Sequence, residues 1–319
     1  MPSGLIVKAL SGFYYVLPDG EDTMSSIQCR ARGIFKNRGE SPLVGDRVKY
    51  ELTDNGDGSV NELYSRSTEL VRPPIANVDL AVLVFAVQEP ALNLQLLDKF
   101  LVHTESSGLN TIICLTKQDL NADAPVKVIS VEEEGKVPIL DEKELPQTVD
   151  EVVRLYESIG YQVVVTSAKV GTGIETVMDR LKGCISVFAG QSGVGKSSLL
   201  NAMVPGLHLE TNQISMKLGR GKHTTRHVEL IRIPNGGLVA DTPGFSSLDF
   251  AQVKEAEDLS SSFREFELYS GMCKFRGCVH LHEPECKVIE AKEQGLIAAS
   301  RYKHYLHFLG EIKNRKRRY

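Results

Sequence analysis

The sequence predicts three domains in series: an N-terminal β-barrel over residues 1–72, a central α/β domain built on a phosphate-binding loop over 75–248, and a mostly helical C-terminal domain over 249–319. Three observations carry that expectation. Short β-type runs punctuated by Gly, Asn and Pro turns fill the N-terminal part; apolar strands then alternate with amphipathic helices; and cysteines crowd one short stretch among helical segments near the C-terminus.

The barrel is read from Leu5 to Val7, Phe13 to Leu17, Ser26 to Ala31 and Arg47 to Leu52, separated by Pro18-Asp-Gly20, Asn37-Arg-Gly39 and Asn55-Gly-Asp-Gly58. Short strands at this spacing, with turn chemistry between them, suit a small closed sheet. Arg72-Pro-Pro74 reads as a linker, because consecutive prolines continue neither a helix nor a central strand, so a new domain should begin near Ile75.

From Val78 the pattern changes to a strand to Val87, a helix near Asn93 to Ser106 and a strand at Thr111 to Thr116. The polar stretch from Asp119 to Pro146 reads as a surface excursion. Alternation resumes with a helix at Val149 to Ile159, a strand at Gln162 to Thr166, a helix at Ile174 to Leu181 and an apolar strand from Cys184. That strand feeds Gly190-Gln191-Ser192-Gly193-Val194-Gly195-Lys196-Ser197, with Ser198 following, a phosphate-binding loop opening a helix. Its backbone N–H groups can wrap phosphate oxygens, Lys196 can reach the terminal phosphates, and the Ser197 hydroxyl can ligate Mg²⁺.

A phosphate loop does not choose between adenine and guanine, so a base-reading group is needed. Thr116-Lys117-Gln118-Asp119 ends a predicted strand. A carboxylate in the base plane accepts from guanine N1–H and its 2-amino group together, a pair that adenine lacks. Asp119 is the expected guanine reader, with the Lys117 stem over the base. Ser167-Ala168-Lys169, again past a strand, resembles the second base-contacting loop of GTPases. Asp241-Thr-Pro-Gly244 follows the strand Gly237 to Ala240, which sets Asp241 near the phosphate loop for Mg²⁺ and Gly244 near the γ-phosphate. Thr224 and Thr225 lie in a basic, glycine-rich stretch from Gly219; Thr225 is favoured to complete the metal shell, and a β-favouring pair at a strand start is the bland alternative.

The base loops precede the phosphate loop here, whereas GTPases ordinarily run the other way, so the order is circularly permuted. Parallel-sheet sites allow this, since they are built from loops at strand carboxyl ends wherever the chain is opened. In this wiring the segment beginning at Asp241 runs directly into the C-terminal domain.

Cys273-x4-Cys278-x-His280-x5-Cys286 offers three thiolates and one imidazole, the donor set of structural zinc, and His282 is a rival to His280. Cys29, Cys114 and Cys184 lie in apolar stretches and read as inert core. The net charge of −4 announces no nucleic-acid binder, so any basic surface is local, as in Lys313, Arg315, Lys316, Arg317 and Arg318 at the end of the chain. No apolar run approaches a membrane span and no secretory leader is evident, so the expectation is a cytoplasmic protein without membrane partner.

With these motifs the whole chain resembles the bacterial small ribosomal subunit biogenesis GTPase A family, the circularly permuted, ribosome-dependent GTPases. The resemblance implies an OB-fold, a permuted GTPase core and a C-terminal zinc domain with Cys273, Cys278, His280 and Cys286 as ligands. It also implies GTP/GDP and Mg²⁺ as cofactors, the small ribosomal subunit and 16S rRNA as partners, no DNA, and a monomer. Thr116 departs from the family's usual asparagine, while Lys117 and Asp119 match. The glutamine that orients water in many GTPases is replaced by Phe245, so His223 is the hypothesised group that approaches the γ-phosphate; a solvent-facing loop histidine is its alternative. Two other functions compete with this one: a zinc-containing RNA-binding protein with a regulatory nucleotide site, and an ATP-dependent kinase or transport ATPase, which Asp119 disfavours.

Overall fold

The computed structural model describes the chain except for residues 21–24, 54–55, 72, 121–144, 208, 210–227, 242–255 and 317–319. Its first five strands are β1 (Ser3–Leu10), β2 (Phe13–Pro18), β3 (Ile27–Ala31), β4 (Arg47–Leu52) and β5 (Gly58–Leu63), with the short helix α1 (Gly33–Asn37) between β3 and β4. They pair in the closed cycle β1-β2-β3-β5-β4-β1, with β3–β5 the parallel step. Closure removes free sheet edges, and Ile6, Val16, Cys29, Val48 and Val60 fill the interior at 0% exposure. A register shift between Ile6 and Lys8 bends β1, so its first half pairs with β4 and its second half is free to pair elsewhere.

The two prolines expected to form a linker instead lie at a hairpin. β6 (Glu69–Val71) and β7 (Pro74–Ala76) form a two-stranded antiparallel sheet, a position proline tolerates because this ribbon consists of edges. The hairpin is stapled to the barrel. Arg66 reaches Asp46, which is fully buried, through Nε and Nη2 at 2.7 Å each, and also binds Glu69. Asn77 Nδ2 donates to the Gly45 carbonyl at 2.8 Å, and Asn77 Oδ1 accepts from Ser67 N–H at 2.8 Å.

The central domain follows with β8 (Leu80–Ala86), α2 (Leu94–Ser106), β9 (Asn110–Thr116), α3 (Val149–Ser158), β10 (Gln162–Val165), α4 (Ile174–Leu181), β11 (Ile185–Ala189), α5 (Lys196–Met203), β12 (Glu229–Arg232) and β13 (Leu238–Asp241). The helices start where sequence signals say they should. Asn93 Oδ1 accepts from Leu96 N–H to cap α2, and Thr148 with Glu151 forms a capping box at α3. Strand order across the sheet is β10-β9-β8-β11-β13-β12, parallel throughout except β12. The chain therefore walks outward from β8 to β10, crosses back through α4 and continues from β11 to the other side. β12 pairs with the second half of β1 at Lys8↔Glu229, which splices barrel and central sheet into one eleven-stranded sheet.

The C-terminal domain consists of α6 (Ala256–Ser261), α7 (Arg264–Ser270), α8 (Lys287–Glu293) and α9 (Ala299–Lys316). Its core includes Phe263, Phe266, Tyr305 and Phe308, and also Val102 from α2. A buried ionic cluster fixes this junction. Asp98 on α2 accepts from Tyr156 on α3 at 2.7 Å, from Arg301 at 2.6 Å and from His304 at 2.5 Å, the last two on α9; Arg301 also grips Glu265 on α7 at 2.7 and 2.9 Å. Burial alone would push the Asp98 carboxyl up, but the Arg301 guanidinium and the His304 hydrogen bond outweigh it and hold it below its ordinary value. No helix among the described residues is long and apolar enough to cross a membrane. Of the three cysteines expected in the core, Cys29 and Cys114 are buried, whereas Cys184 is only partly covered because it lies just before β11.

Arg301→Met should destabilise the protein by about 3–5 kcal/mol, since it strands Asp98 and Glu265 without their shared cation, an effect read by urea unfolding followed at the C-terminal tyrosines. Replacing the exposed Lys49 of the Lys49–Glu62 pair by Met should leave the unfolding midpoint unchanged in the same assay.

Candidate functional site

Three loops converge at the carboxyl ends of neighbouring parallel strands β11, β9 and β10. A cleft of about 310 Å³ is lined by Thr116, Lys117, Asp119, Leu120, Thr166, Ala168, Lys169, Gly195, Ser198 and Leu199. Residues 116–119 and 195–199 are distant in sequence yet share one wall-to-wall cavity, because β8 pairs with both β9 and β11 and aligns their ends.

The phosphate loop follows β11. Gly190 has φ of +149° and a Cβ there would meet the Val84 carbonyl oxygen at 2.1 Å, so only glycine lets the loop pass β8 this closely. Gly195 caps α5 at φ +97° with no side-chain acceptor, leaving the first N–H groups of the helix to whatever anion the loop holds. Lys196 Nζ donates to the Gly190 and Gln191 carbonyls at 2.7 and 2.6 Å, and burial pushes its ammonium down to about 8. Ser197 is buried at the first turn of α5; Gln191 and Ser192 lie on the loop before it.

Thr116 stands where asparagine is expected. Its Oγ1 lies 2.5 Å from the Val194 carbonyl and 3.2 Å from that of Phe85. One hydroxyl has one proton, and the shorter contact takes it, which ties the base loop directly to the phosphate loop. With Val194 C=O turned to Thr116, the Gly195 N–H of the same trans peptide faces the other way. Lys117 sits at φ +61°, its stem passes beside Gly195, and its ammonium is hydrogen-bonded to the Glu89 carbonyl in the loop between β8 and α2. Gln118 N–H bonds the Thr166 carbonyl at 3.2 Å and so joins the two base loops.

Asp119 stands at the mouth of the cleft. Ser167 Oγ donates to Asp119 Oδ1 at 2.6 Å and Lys169 Nζ lies 3.9 Å from Oδ2. The Ser167 hydrogen bond, with backbone and lysine contributions, holds the carboxyl below its ordinary value, so it is an ionised acceptor at neutral pH. Ser167 itself is locked by Thr172 across an isolated bridge, which presents Ala168 and Lys169 toward the cleft.

The backbone of Asp241 ends β13, paired with Glu229 of β12. His223, Thr224, Thr225 and Gly244, named from sequence for the γ-phosphate side, lie outside the described residues. Sequence reading missed Leu120, Thr166 and Leu199 in the lining, which belong to no motif, and the Glu89 carbonyl that holds Lys117, which a backbone atom cannot advertise in sequence.

Far from this cleft, one ligand atom each from Cys273, Cys278, His280 and Cys286 falls within 4.8 Å of every other. Cys273 and Cys286 sulfurs are 3.9 Å apart, close to the edge of about 3.8 Å that a tetrahedron with metal–sulfur bonds of about 2.3 Å would have. His280 Nδ1 faces Cys286 Sγ at 3.3 Å and Cys273 Sγ at 3.8 Å, whereas His282 is exposed and outside the cluster. The geometry therefore separates the two histidines that spacing left as rivals. Glu283 shapes the loop by accepting from the N–H groups of Val279, Leu281 and His282. Burial pushes the Cys278 thiol up to about 12 and raises Cys286, so only a cation would draw thiolates from this cluster at neutral pH. The donor set fits a tetrahedral, closed metal centre.

A sheet in this order, with the phosphate loop after a central strand and both base loops on strands that come earlier in the chain, defines a circularly permuted GTPase. The family models "RsgA N-terminal domain" and "RsgA GTPase" match residues 3–60 and 63–251. The chain belongs to the RsgA GTPase family. It is 52% identical over 319 residues to the small ribosomal subunit biogenesis GTPase RsgA of Bacillus velezensis and 49% identical to that of Bacillus subtilis, with 100% of both chains covered in each case. Among solved structures it is similar to YloQ, described as a circularly permuted GTPase, with 42% identity and TM-score 0.78 over 99% of this chain and 96% of that one. YjeQ from Thermotoga maritima gives 37% identity and TM-score 0.78 over 98% of each chain.

Two outcomes test the site. Thr116→Val should weaken guanine-nucleotide binding about tenfold by leaving the Val194 carbonyl without its donor, while the preference for GTP over ATP persists and Thr116→Asn restores affinity; titration calorimetry reads both. Phosphate oxygens would raise Lys196 from about 8, so affinity is full below that value and falls as pH rises through it toward the bound-state value. Calorimetry at pH 8 in two buffers of different ionisation enthalpy should show uptake of about half a proton per nucleotide from this group.

Proposed function

We propose that this GTPase acts as an assembly factor of the small ribosomal subunit, binding the subunit and its 16S rRNA late in maturation and hydrolysing GTP in response to that contact. The observation that carries the nucleotide part is the shared cleft: Asp119 at one end and Gly195 with Ser198 near the other fit opposite ends of a guanine nucleotide. Asp119 would accept from the base, Lys117 would cover it, and Ala168 N–H would meet guanine O6. The residues of the loop from Gly190 to Ser198 would hold the phosphates, with Lys196 neutralising charge that develops on the transferred group. Ser197, Thr225 and Asp241 would hold Mg²⁺, which supplies electrostatic stabilisation of the phosphate oxygens when bound.

The ribosomal part of the reading rests on the relatives' names and on the closed barrel, an architecture that binds irregular nucleic acid across one face. Residues 1–75 hold nine basic and ten acidic side chains, so the RNA-facing surface would be segregated rather than global. The relatives' ribosomal names support a location in the bacterial cytoplasm, and the family resemblance is the ground for taking the chain as a monomer. The metal at Cys273, Cys278, His280 and Cys286 would be zinc, held for structure, since no coordination position is left open.

His223 is the proposed group that approaches the γ-phosphate when rRNA orders the segment around Thr225, because Phe245 cannot align water. A His223→Ala protein that keeps full subunit-stimulated turnover would remove that role. For the whole reading, GTP and ATP hydrolysis is measured with and without small ribosomal subunits. Asp119→Asn should lower GTP affinity at least ~100-fold through two lost or mismatched hydrogen bonds, and should gain affinity for xanthosine triphosphate, whose 2-carbonyl accepts from the new amide. An unchanged preference for GTP in that variant would overturn the guanine assignment.

A further inference from the structure

His280 is the point at which three helices meet the metal-binding loop. Its Nε2 lies 2.9 Å from Ser260 Oγ on α6, Phe266 on α7 packs edge-on against its ring at 5.8 Å, and Tyr302 on α9 donates to its backbone carbonyl at 2.7 Å. Both Ser260 and His280 are buried, at 8% and 1% exposure. The imidazole is therefore held on both nitrogens: Nδ1 among the cysteine sulfurs, Nε2 against a hydroxyl from a different element.

We propose that Ser260 is a positioning residue of the metal centre, which by accepting from His280 Nε2–H fixes the tautomer whose Nδ1 lone pair ligates the ion. The inference rests on the zinc reading above and adds a residue that no ligand spacing indicates. A neutral imidazole carries one proton, and a ligating nitrogen must be free of it, so the partner of the other nitrogen decides which lone pair faces the metal. The backbone supports the same choice. His280 stands at φ +53°, in the left-handed region, and the Tyr302 and Tyr305 hydroxyls pin the carbonyls of His280 and Val279 at 2.7 Å each. With the main chain so held, rotating the ring to offer Nε2 instead would withdraw Nδ1 from Cys286 and break the bond to Ser260.

The same contact fastens α6 to the metal loop. α6 is the first described helix after β13, whose end carries Asp241. Loss of the Ser260 hydroxyl should thus loosen both the imidazole and the helix that enters this domain.

The test uses the full zinc-loaded chain. In wild type, long-range nitrogen-proton spectra of the histidine rings should show His280 ligated through Nδ1 with the proton on Nε2; ligation through Nε2 would overturn the proposal without recourse to any variant. Ser260→Ala should release zinc to a chromophoric chelator about tenfold faster, and Ser260→Thr should restore the wild-type rate, while Ser262→Ala, which removes a hydroxyl bonded to the Asp258 carbonyl, should not change it. Equal release rates for wild type and Ser260→Ala would also overturn it. A purified chain that contains no zinc at all would reject the zinc reading instead, which elemental analysis distinguishes before any variant is made.

Discussion

The register of β8 against its two neighbours is the constraint from which the nucleotide site follows. Ala86 aligns with Thr116 on β9 and Leu83 aligns with Ala189 on β11, so the loops that leave those two strands emerge side by side. Parallel pairing spaces neighbouring strands about 5 Å apart, so β9 and β11, on either side of β8, lie about 10 Å apart, a gap that the phosphate loop crosses to bring the Val194 carbonyl to Thr116. Chain order does not enter this geometry. A sheet fixes where loops end up by which strands pair, and a permuted chain that preserves the pairings preserves the cleft.

Permutation does change what each end of the chain is attached to. The strand ending in Asp241 leads toward the C-terminal domain, yet the body of that domain is held by α2 and α3, through Asp98, Tyr156, Arg301 and Glu265. Peripheral pairs reinforce the junction: Lys99 with Glu311, and Arg264 with Glu105. α2 begins just after the Glu89 loop that holds Lys117, so the helical domain is braced against the base side of the cleft. The barrel takes the opposite edge, where β1 pairs with β12. The barrel thus joins the central domain through its edge strand β12, and the helical domain joins it through α2 and α3.

Most of the architecture was legible because its signals are local. Apolar runs marked β8 to β11, amphipathic stretches near Asn93 and from Val149 marked helices between them, and the glycine-rich run after β11 marked the phosphate loop. What stayed hidden depends on contacts between distant residues. Arg72-Pro-Pro74 has the chemistry of a linker, and long-range contacts, Arg66–Asp46 and Asn77–Gly45 among them, fix the hairpin around it to the barrel. β5 was missed because Gly58, Asn61 and Glu62 dilute its β signal; its place is enforced by pairing with both β3 and β4. Asp98 and Arg301 belong to no sequence motif, and nothing local could announce that two residues 203 positions apart neutralise one another in a core.

The metal cluster shows the same division. Spacing alone named three cysteines and left His280 and His282 as rivals, because both lie within reach of a short loop. The decision is made by residues outside the loop: Tyr302 and Tyr305 on α9 hold the backbone, Phe266 on α7 walls the ring, and Ser260 on α6 meets its far nitrogen. Those helices are in turn ordered around the buried clamp on Asp98, so the choice of ligand depends on the junction with the central domain. A binding centre whose donors all come from one loop is selected, in this protein, by packing that reaches as far as the base side of the nucleotide cleft.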